Sequence, residues 1–532
     1  MKTSYRFLFA TILFCSAITL VACKKLELNK IASTAWSPNL AIPLAIGEFG
    51  VYDVLTSKDS SILDIGPDGA LAIVYTESAD IVQASDLLAL PDQNFNYNGS
   101  MASLGIPTIP SFSGTQSYTT NQTFPLSNPS GGNLFTIDFR TGNLDINVST
   151  NLMHSVKYDF TFPDLLENGI AVTESINLIY TGLIPQSGST SLNLGNSILD
   201  LTNGPGGSNE IRVQLTVTIT GSGSPILGTE NVGFDIAMQN LDFDLITGNL
   251  GTIALPSFKD TIDLKLFNNT NQGTFTIINP KLDFKFNNSF GIPVDINFNS
   301  IKTKEIASGN EYNLTGFPPS FSLLAAPTVG QNATSTLTIT DQNSANLQNI
   351  LSPTPKVLIY DIGGSTNGSN TNFITHDSKI NLQGTLTLPL EGYATGFLLR
   401  DTIEATIDLD NEFVESALLR LNIENGFPIE AGVRILLVDQ NYALLKDLTN
   451  GFKNLINAAP VNSAGRVTQT ATAINDFTIT NTELPTLQTM KYIIFEVGGQ
   501  TYQGNLGTVV KFYDDYKLKL RLGMQVQGKV NL

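Results

Sequence analysis

Hydrophobic and polar residues alternate along much of the second half of the chain. A period of two places one face of a strand in a core and the other in water, which is typical of antiparallel, half-buried β-strands. The alternating apolar positions include Ile262, Leu264 and Leu266; Leu282, Phe284 and Phe286; Val294, Ile296 and Phe298; Ile380 and Leu382; Leu386 and Leu388; and Leu419, Leu421 and Ile423. Gly and Asn stand between the runs and favour tight turns. The pattern predicts an all-β fold of antiparallel sandwiches with little helix.

Helical periodicity is scarce. The best candidate helix is DLTNGFKNLIN, residues 447–457, in which Leu448, Phe452, Leu455 and Ile456 would share one face. Gly451 interrupts this face, so even here the helical pattern is weak.

Short sequence matches recur in the same order in the second half of the chain, which indicates an internal repeat. They are GTIALP (251–256) with GTLTLP (384–389), Asp260, Thr261 and Ile262 with Asp401, Thr402 and Ile403, NNSFGIPV (Gly291) with ENGFPI (Gly426), Ala325, Ala326 and Pro327 with Ala458, Ala459 and Pro460, and KVLIYDIGG from Lys356 with KYIIFEVGG from Lys491. The final DYKLKLRLGMQV also aligns with DSKINLQGTLTL, and ENGIAV (167–172) and PSF (110–112) give a fainter upstream copy. Five matches in one order predict tandem modules.

The chain of 532 residues is long enough for several domains. We predict a signal peptide at 1–22, an N-terminal segment at 23–100, a divergent β-sandwich module 1 at 101–256, module 2 at 257–390 and module 3 at 391–532.

The composition adds a strong constraint on partners. Hydrophobic residues make up 42% of the chain and charged residues 14%, so it can bury real cores. The net charge is −18, which disfavours binding to nucleic acid or directly to anionic lipid head groups, because both need a basic surface.

The N-terminus has the layout of a secretory signal peptide. A basic start, MKTSYR, precedes an apolar run from Phe7 to Ala22 that is shorter than the ~20 residues of a membrane-spanning helix. Leu20, Val21, Ala22 and Cys23 resemble the lipobox of bacterial lipoproteins, which implies cleavage between Ala22 and Cys23 and a lipid on Cys23. An ordinary signal peptide is the alternative, but Cys23 would then be the sole, free thiol of an exported protein, since Cys15 leaves with the signal.

Two further resemblances concern the fold and the source. The segment NPKLDFKFNNSFGIPVDINF resembles part of LEA14-like β-sandwich domains, which implies a sandwich. The modules and the mature N-terminus around Trp36 and Pro38 resemble uncharacterised Bacteroidota surface lipoproteins. This second resemblance implies lipid anchoring at the outer membrane, on either the periplasmic or the cell-surface side, and it does not indicate any particular activity.

Few residues offer catalytic or metal chemistry. His154 and His376 are the only histidines, and no nucleophile elbow, zinc-protease or phosphate-loop motif is present. We expect no cofactor. Asp408, Asp410 and Glu412 are a weak calcium candidate without the glycine and distal glutamate of an EF-hand, and a solvated turn is the preferred interpretation. Asp361 and Glu496 fall at equivalent places of the repeat, which favours a structural role.

The two Asp-Thr-Ile tripeptides resemble the Bacteroidota O-glycosylation sequon. The resemblance implies a glycan on Thr261 and Thr402. The alternative is structural, because Asp and Thr often cap turns where a strand begins.

Two functional hypotheses follow. The first is a non-catalytic structural, adhesive or accessory binding subunit, held to the membrane by its lipid and associated with an outer-membrane protein complex or an extracellular polysaccharide. The alternative is a polysaccharide-active hydrolase with paired carboxylates, or a glycan-binding protein.

Metabolic labelling with a tagged fatty acid tests the anchor. We expect label in the wild type and none in Cys23→Ala, because the thiol of Cys23 is the acylation site. Label that persists in Cys23→Ala would contradict the assignment.

The intact mass of protein purified from its host tests the predicted glycans on the two sequon threonines. A mass explained by lipid alone would contradict that hypothesis.

Overall fold

The computed structural model describes residues 39–51, 63–128, 131–207, 209–264, 272–305, 308–352, 355–368, 371–404, 414–480, 482–483 and 489–528. Strands make up 63% and helices 4%, in several antiparallel sheets. The prediction of an all-β fold of antiparallel sandwiches with little helix is confirmed.

In chain order, the described strands are β1 Asn39–Gly50, β2 Leu63–Ile65, β3 Leu71–Gln83, β4 Gln93–Ser100, β5 Thr115–Pro125, β6 Asn133–Thr150, β7 Ser155–Glu167, β8 Ile170–Leu178, β9 Gln186–Asn193, β10 Ser197–Asp200, β11 Glu210–Thr220, β12 Asn231–Asn249, β13 Ala254–Asp263, β14 Gln272–Ile277, β15 Lys281–Asn288, β16 Val294–Glu305, β17 Glu311–Asn313, β18 Ser320–Leu323, β19 Ala333–Ile339, β20 Pro355–Thr366, β21 Asn372–Thr375, β22 Lys379–Pro389, β23 Glu391–Glu404, β24 Val414–Asn425, β25 Ala431–Val438, β26 Leu444–Asp447, β27 Lys453–Ile456, β28 Ala471–Thr480, β29 Tyr492–Gly499, β30 Val510–Lys511 and β31 Lys517–Gly528. The described helices are α1 (Ala84–Leu87), α2 (Leu347–Leu351) and the 3-10 turns Met101–Leu104 and Gly504–Leu506.

The first unit is one sheet of ten strands that curls around an aromatic core. Its main order is β21-β12-β6-β10-β7-β11-β5, with β4 on β12, β8 on β7 and β9 on β6. Strands β12 and β4 face β7 and β5 across the core, where the rings of Phe160 and Phe234 lie 5.4 Å apart and those of Phe95 and Phe124 lie 5.3 Å apart. Register shifts between β6 and β12 let these long strands bend.

The second and third units share one strand order. In the second, β13-β20-β16-β17 forms one sheet and β19-β15-β22-β3-β2 the other. In the third, β23-β29-β25-β26 corresponds to the first of these sheets, with β14 as an added edge strand, and β28-β24-β31-β1 corresponds to β19-β15-β22-β3 of the second, without a counterpart of β2. The repeat seen in the sequence is therefore a repeat of sandwich topology.

The residues before position 100 supply strands to all three units. Strand β1 pairs with β31, β3 pairs with β22, and β4 pairs with β12. Lys517 forms an ion pair with Glu48 at 2.6 Å, and Lys379 forms one with Asp80 at 2.8 Å. The segment 23–100, treated in the sequence as a separate N-terminal part, thus contributes to the sheets of the modules that follow it.

A buried asparagine fixes the turn between the two sheets of the second unit. The Asn288 amide donates to the carbonyls of Ile292 at 3.0 Å and Leu324 at 2.9 Å. Its oxygen accepts the N–H of Phe290 at 2.9 Å. One side chain satisfies three backbone groups that would otherwise be unpaired inside the fold.

Asn425 does the same in the third unit. Its amide donates to Ile429 at 2.8 Å and Asn457 at 3.1 Å, and its oxygen accepts the N–H of Phe427 at 2.9 Å. The sequence analysis therefore matched the correct two turns, and the buried asparagine is the chemical basis of their similarity.

The residue-level alignment of that turn was wrong by two positions. The N–H groups of Ser289 and Gly426 donate to the carbonyls of Lys379 and Lys517, respectively. Ser289 is therefore equivalent to Gly426, whereas the sequence alignment matched Gly291 with it. The turn is positioned by the buried asparagine rather than by its glycine.

Two other local predictions were also wrong. The predicted helix at 447–457 is instead the end of β26, a turn and β27, and both strands pair with β25. The Asp447 carboxylate accepts the N–H groups of Thr449 and Gly451 and closes the turn. The upstream match ENGIAV is a hairpin turn between the paired strands β7 and β8, with Asn168 at φ 51°, whereas NNSFGIPV crosses between sheets.

The asparagine turns predict a stability change. Asn288→Ala or Asn425→Ala should lower the free energy of unfolding of its own unit by about 2–4 kcal/mol, because buried backbone groups lose their partners. Urea denaturation measures this, with Asn94→Ala on the exposed side of β4 as a matched control. A loss no greater than that of the control would contradict the role.

Candidate functional site

The strongest sequence candidates lie outside the described residues. These are Ala22 and Cys23 of the cleavage and lipidation site, and Asp408, Asp410 and Glu412 of the calcium candidate. They stay predictions. In the described part of the chain, no helix is long and apolar enough to cross a membrane, and no three His, Cys, Asp or Glu side chains are grouped as metal ligands would be.

Both sequon threonines lie exposed on strands near sheet edges. Thr261 belongs to β13, the outermost strand of its sheet, and Thr402 to β23. The Asp260 carboxylate has two nearby hydrogen-bond donors: it accepts the N–H of Thr261 at 2.8 Å and the hydroxyl of Tyr360 at 3.3 Å. An enzyme could reach Thr261, and the glycan remains a prediction.

The carboxylates singled out in the sequence have structural partners. Asp361 accepts hydrogen bonds from Ser257 and Asn299, and Glu496 lies 3.7 Å from Arg434. Among the carboxyl groups that the structure describes, Asp138 is the one whose pKa is raised, first by burial and second by the nearby charge of Asp244. Asp244 itself lies exposed on the sheet surface.

His376 lies at the surface of the protein. It is in an exposed turn, and its Nδ1 is 3.3 Å from Asp242.

One end of the first unit differs from the rest of the chain. Four connections meet there: 101–114, 151–154, 179–185 and 221–230. Glu230 is their one Asp, Glu, Lys or Arg residue and it is buried, in a protein with 14% charged residues and a net charge of −18. We call these four connections the loop end.

Hydrogen bonds tie the four connections into one surface. The Gln186 amide donates to the carbonyls of Leu152 and His154, both at 2.8 Å. The Ser222 hydroxyl donates to the carbonyl of Met153 at 2.5 Å. Residues 101–114 are joined to the connection that contains Ile226, because Ile109 and Ile226 exchange backbone hydrogen bonds of 2.8 Å.

His154 lies at the centre of the loop end and is fully buried. Its Nδ1 accepts the backbone N–H of Ser222 at 3.0 Å, so the neutral ring carries its proton on Nε2. Burial lowers the pKa of His154 below its usual 6.5, and the weaker influences of the Pro225 carbonyl and the Glu230 charge act in the opposite direction. The Ser222 hydroxyl lies 3.1 Å from Nδ1 but gives its proton to Met153. The His154 and Ser222 side chains therefore hold the second and fourth connections of the loop end together.

Large apolar side chains project from the loop end into solvent. The exposed fractions are 78% for Ile179, 76% for Leu183, 56% for Leu227, 48% for Ile184 and 39% for Met153. Aliphatic side chains grouped without charges between them mark contact surfaces, whereas scattered ones are ordinary.

A small apolar cavity lies inside the first unit, toward the strand ends away from the loop end. It is lined by Phe95, Leu144, Phe162, Leu165, Leu199, Ile211, Val213, Ile236 and Met238 and has a volume of about 10 Å³. That volume is close to the limit for a single water molecule. The candidate site at the loop end is its projecting aliphatic surface.

Sequence reasoning missed the loop end. The four segments are far apart in the chain, and each one alone resembles an ordinary loop. Their shared scarcity of charged residues was a readable signal, but it gained meaning only when the strands brought them together.

The loop end should loosen in mild acid. Because the pKa of His154 is lower in the folded protein than in the opened loops, the opened state takes up the proton first, so stability falls as the pH drops below about 6.5. Hydrogen exchange at pH 7.5 and 5.5, corrected for intrinsic rates, should show this in 151–154 and 221–229. His154→Gln should remove the pH effect and His376→Gln should keep it. Equal protection of the wild type at both pH values would contradict the role.

Comparisons with known proteins give weak likenesses. No family model and no curated protein matches the chain. A candidate secreted protein from Parabacteroides distasonis is 14% identical with a TM-score of 0.29, over 52% of this chain and 83% of that one. The cowpea mosaic virus top component is 11% identical with a TM-score of 0.13, over 52% and 89% of the two chains. Infectious bursal disease virus, Gt strain, is 9% identical with a TM-score of 0.13, over 89% and 82%. Likenesses this weak transfer neither fold nor function to this protein.

Proposed function

We propose that the protein is an exported lipoprotein, anchored through Cys23, that serves as a non-catalytic binding subunit at the outer membrane or cell surface. The loop end is the observation that carries the binding role. Its aliphatic side chains are exposed and no charged side chain is exposed among them, which suits a contact with another apolar surface.

Binding is favoured over hydrolysis by the kind of site present. A glycosidase needs two carboxyl groups that flank the substrate at about 5–10 Å from each other. Asp138 has a raised pKa and Asp244 as a charged neighbour, but the side chain of Asp244 is 59% exposed and lies 4.0 Å from Arg140. A hydrolase with paired carboxylates remains the alternative hypothesis.

We infer that the partner of the loop end is a protein. A lipid surface with anionic head groups is usually met by Lys and Arg, and the loop end has none. Its mixture of exposed Ile, Leu and Met with Ser, Thr and Gly matches the apolar centre and polar rim of protein interfaces.

Site-specific photo-crosslinking in host cells tests this proposal. A photoreactive residue at Leu183 should give a protein adduct of one defined mass. The same probe at the exposed Thr478 on β28 should not give that adduct. Adding Ile179→Asp to the Leu183 probe should reduce the adduct roughly tenfold, because a carboxylate would be buried in an apolar contact.

The melting temperature controls for the fold. Ile179 is 78% exposed, so Ile179→Asp should leave stability nearly unchanged. Three results would each overturn the protein contact: adducts with lipid only, no adduct at Leu183, or an adduct whose yield is unchanged by Ile179→Asp.

A further inference from the structure

Two tyrosines of the third unit form a stacked pair at the surface. The ring centroids of Tyr442 and Tyr492 are 4.9 Å apart, and the ring planes differ by 4°. Tyr442 lies in the loop between β25 and β26 and is 58% exposed, whereas Tyr492 begins β29 and is half-buried. One face of the Tyr442 ring is covered by Tyr492, while Tyr442 keeps more than half of its surface in solvent.

Tyr442 occupies a backbone conformation that disfavours its side chain. Its φ is 63°, in the left-handed region where Gly and Asn are normally found. The other described non-glycine residues with positive φ are Asn168, Asn196, Asn209, Asn240, Asn279, Asn450 and Gln503. Six of these seven are asparagine, so the chain places a bulky aromatic ring where it elsewhere uses Asn.

The loop around Tyr442 is held rigidly. The Asp439 carboxylate accepts the N–H groups of Asn441 at 2.8 Å and Ala443 at 2.9 Å. The N–H of Tyr442 donates to the carbonyl of Asp439 at 3.1 Å. The ring is therefore presented in one orientation, which lowers the entropy cost of binding a ligand against it.

Polar groups surround the stacked pair. The side chains of Gln440 and Asn441 precede the ring and are exposed. Glu404 lies opposite Tyr492 in the sheet and forms an ion pair with Lys491. Exposed amides and a paired ion supply hydrogen-bond donors and acceptors without adding net charge.

We propose that Tyr442, supported by Tyr492, is a platform for a pyranose ring of a neutral glycan. The apolar C–H face of a sugar packs on the π face of the ring, while the flanking amides bind its hydroxyl groups. The net charge of −18 disfavours acidic glycans, which makes neutral hexoses the fitting class. This site lies in a different unit from the loop end and does not depend on it.

Substitution of Tyr442 separates binding from stability. The probe is an array of neutral gluco-, manno- and galacto-configured oligosaccharides, followed by calorimetry with the hexasaccharide that binds best. Tyr442→Asn should weaken binding roughly tenfold or more, because the stacking surface is lost. Its melting temperature should stay at or rise above that of the wild type, because Asn tolerates the left-handed conformation better.

Tyr118→Asn, on β5 of the first unit, is the matched control and should bind like the wild type. Binding that depends on Tyr442 but not on Tyr118 supports the platform. Absence of binding across the array, or equal binding by the wild type and Tyr442→Asn, would overturn it. A clear drop in the melting temperature of Tyr442→Asn would identify the stack as structural and would also overturn the proposal.

Discussion

The pairing of early strands with late ones is the constraint on which the second and third sandwiches depend. Strand β3 completes a sheet with β22, and β1 completes the equivalent sheet with β31. Without them β22 and β31 would be open edges that carry apolar faces, which is the arrangement that promotes aggregation. The residues joined by the Glu48–Lys517 ion pair are 469 positions apart, so the third sandwich closes only after nearly the whole chain is available.

Both proposed contact surfaces lie on connections, while the strands below them are packed. At the loop end, His154 and Gln186 hold loops together from within and leave aliphatic side chains outside. At Tyr442, a turn closed by Asp439 presents an aromatic ring in a strained conformation. A rigid β scaffold carries binding residues in this manner because its loops can vary without a change in the core.

The sequence predicted the fold class well because alternation of apolar residues is a local signal. It also located the repeat of the second and third units, in which a buried asparagine, Asn288 or Asn425, holds the turn between the two sheets. It could not find the partner of β1, since no local pattern identifies a strand hundreds of residues away. It placed a helix at 447–457 because helical spacing there competes with the turn chemistry of Asp447. The conformation of Tyr442 could not be predicted from the sequence for a related reason. The left-handed conformation is normally indicated by Gly or Asn, and position 442 has neither.

The position of β1 has a mechanical consequence. Its first residue, Asn39, lies opposite Gln527, and the pairing continues to Gly50 opposite Lys517. Interstrand hydrogen bonds run perpendicular to the strands, so a pull along the axis of β1 from residue 39 loads all of them together in shear. Tension applied from the N-terminal side would thus meet the collective resistance of a whole strand rather than opening the sheet one bond at a time.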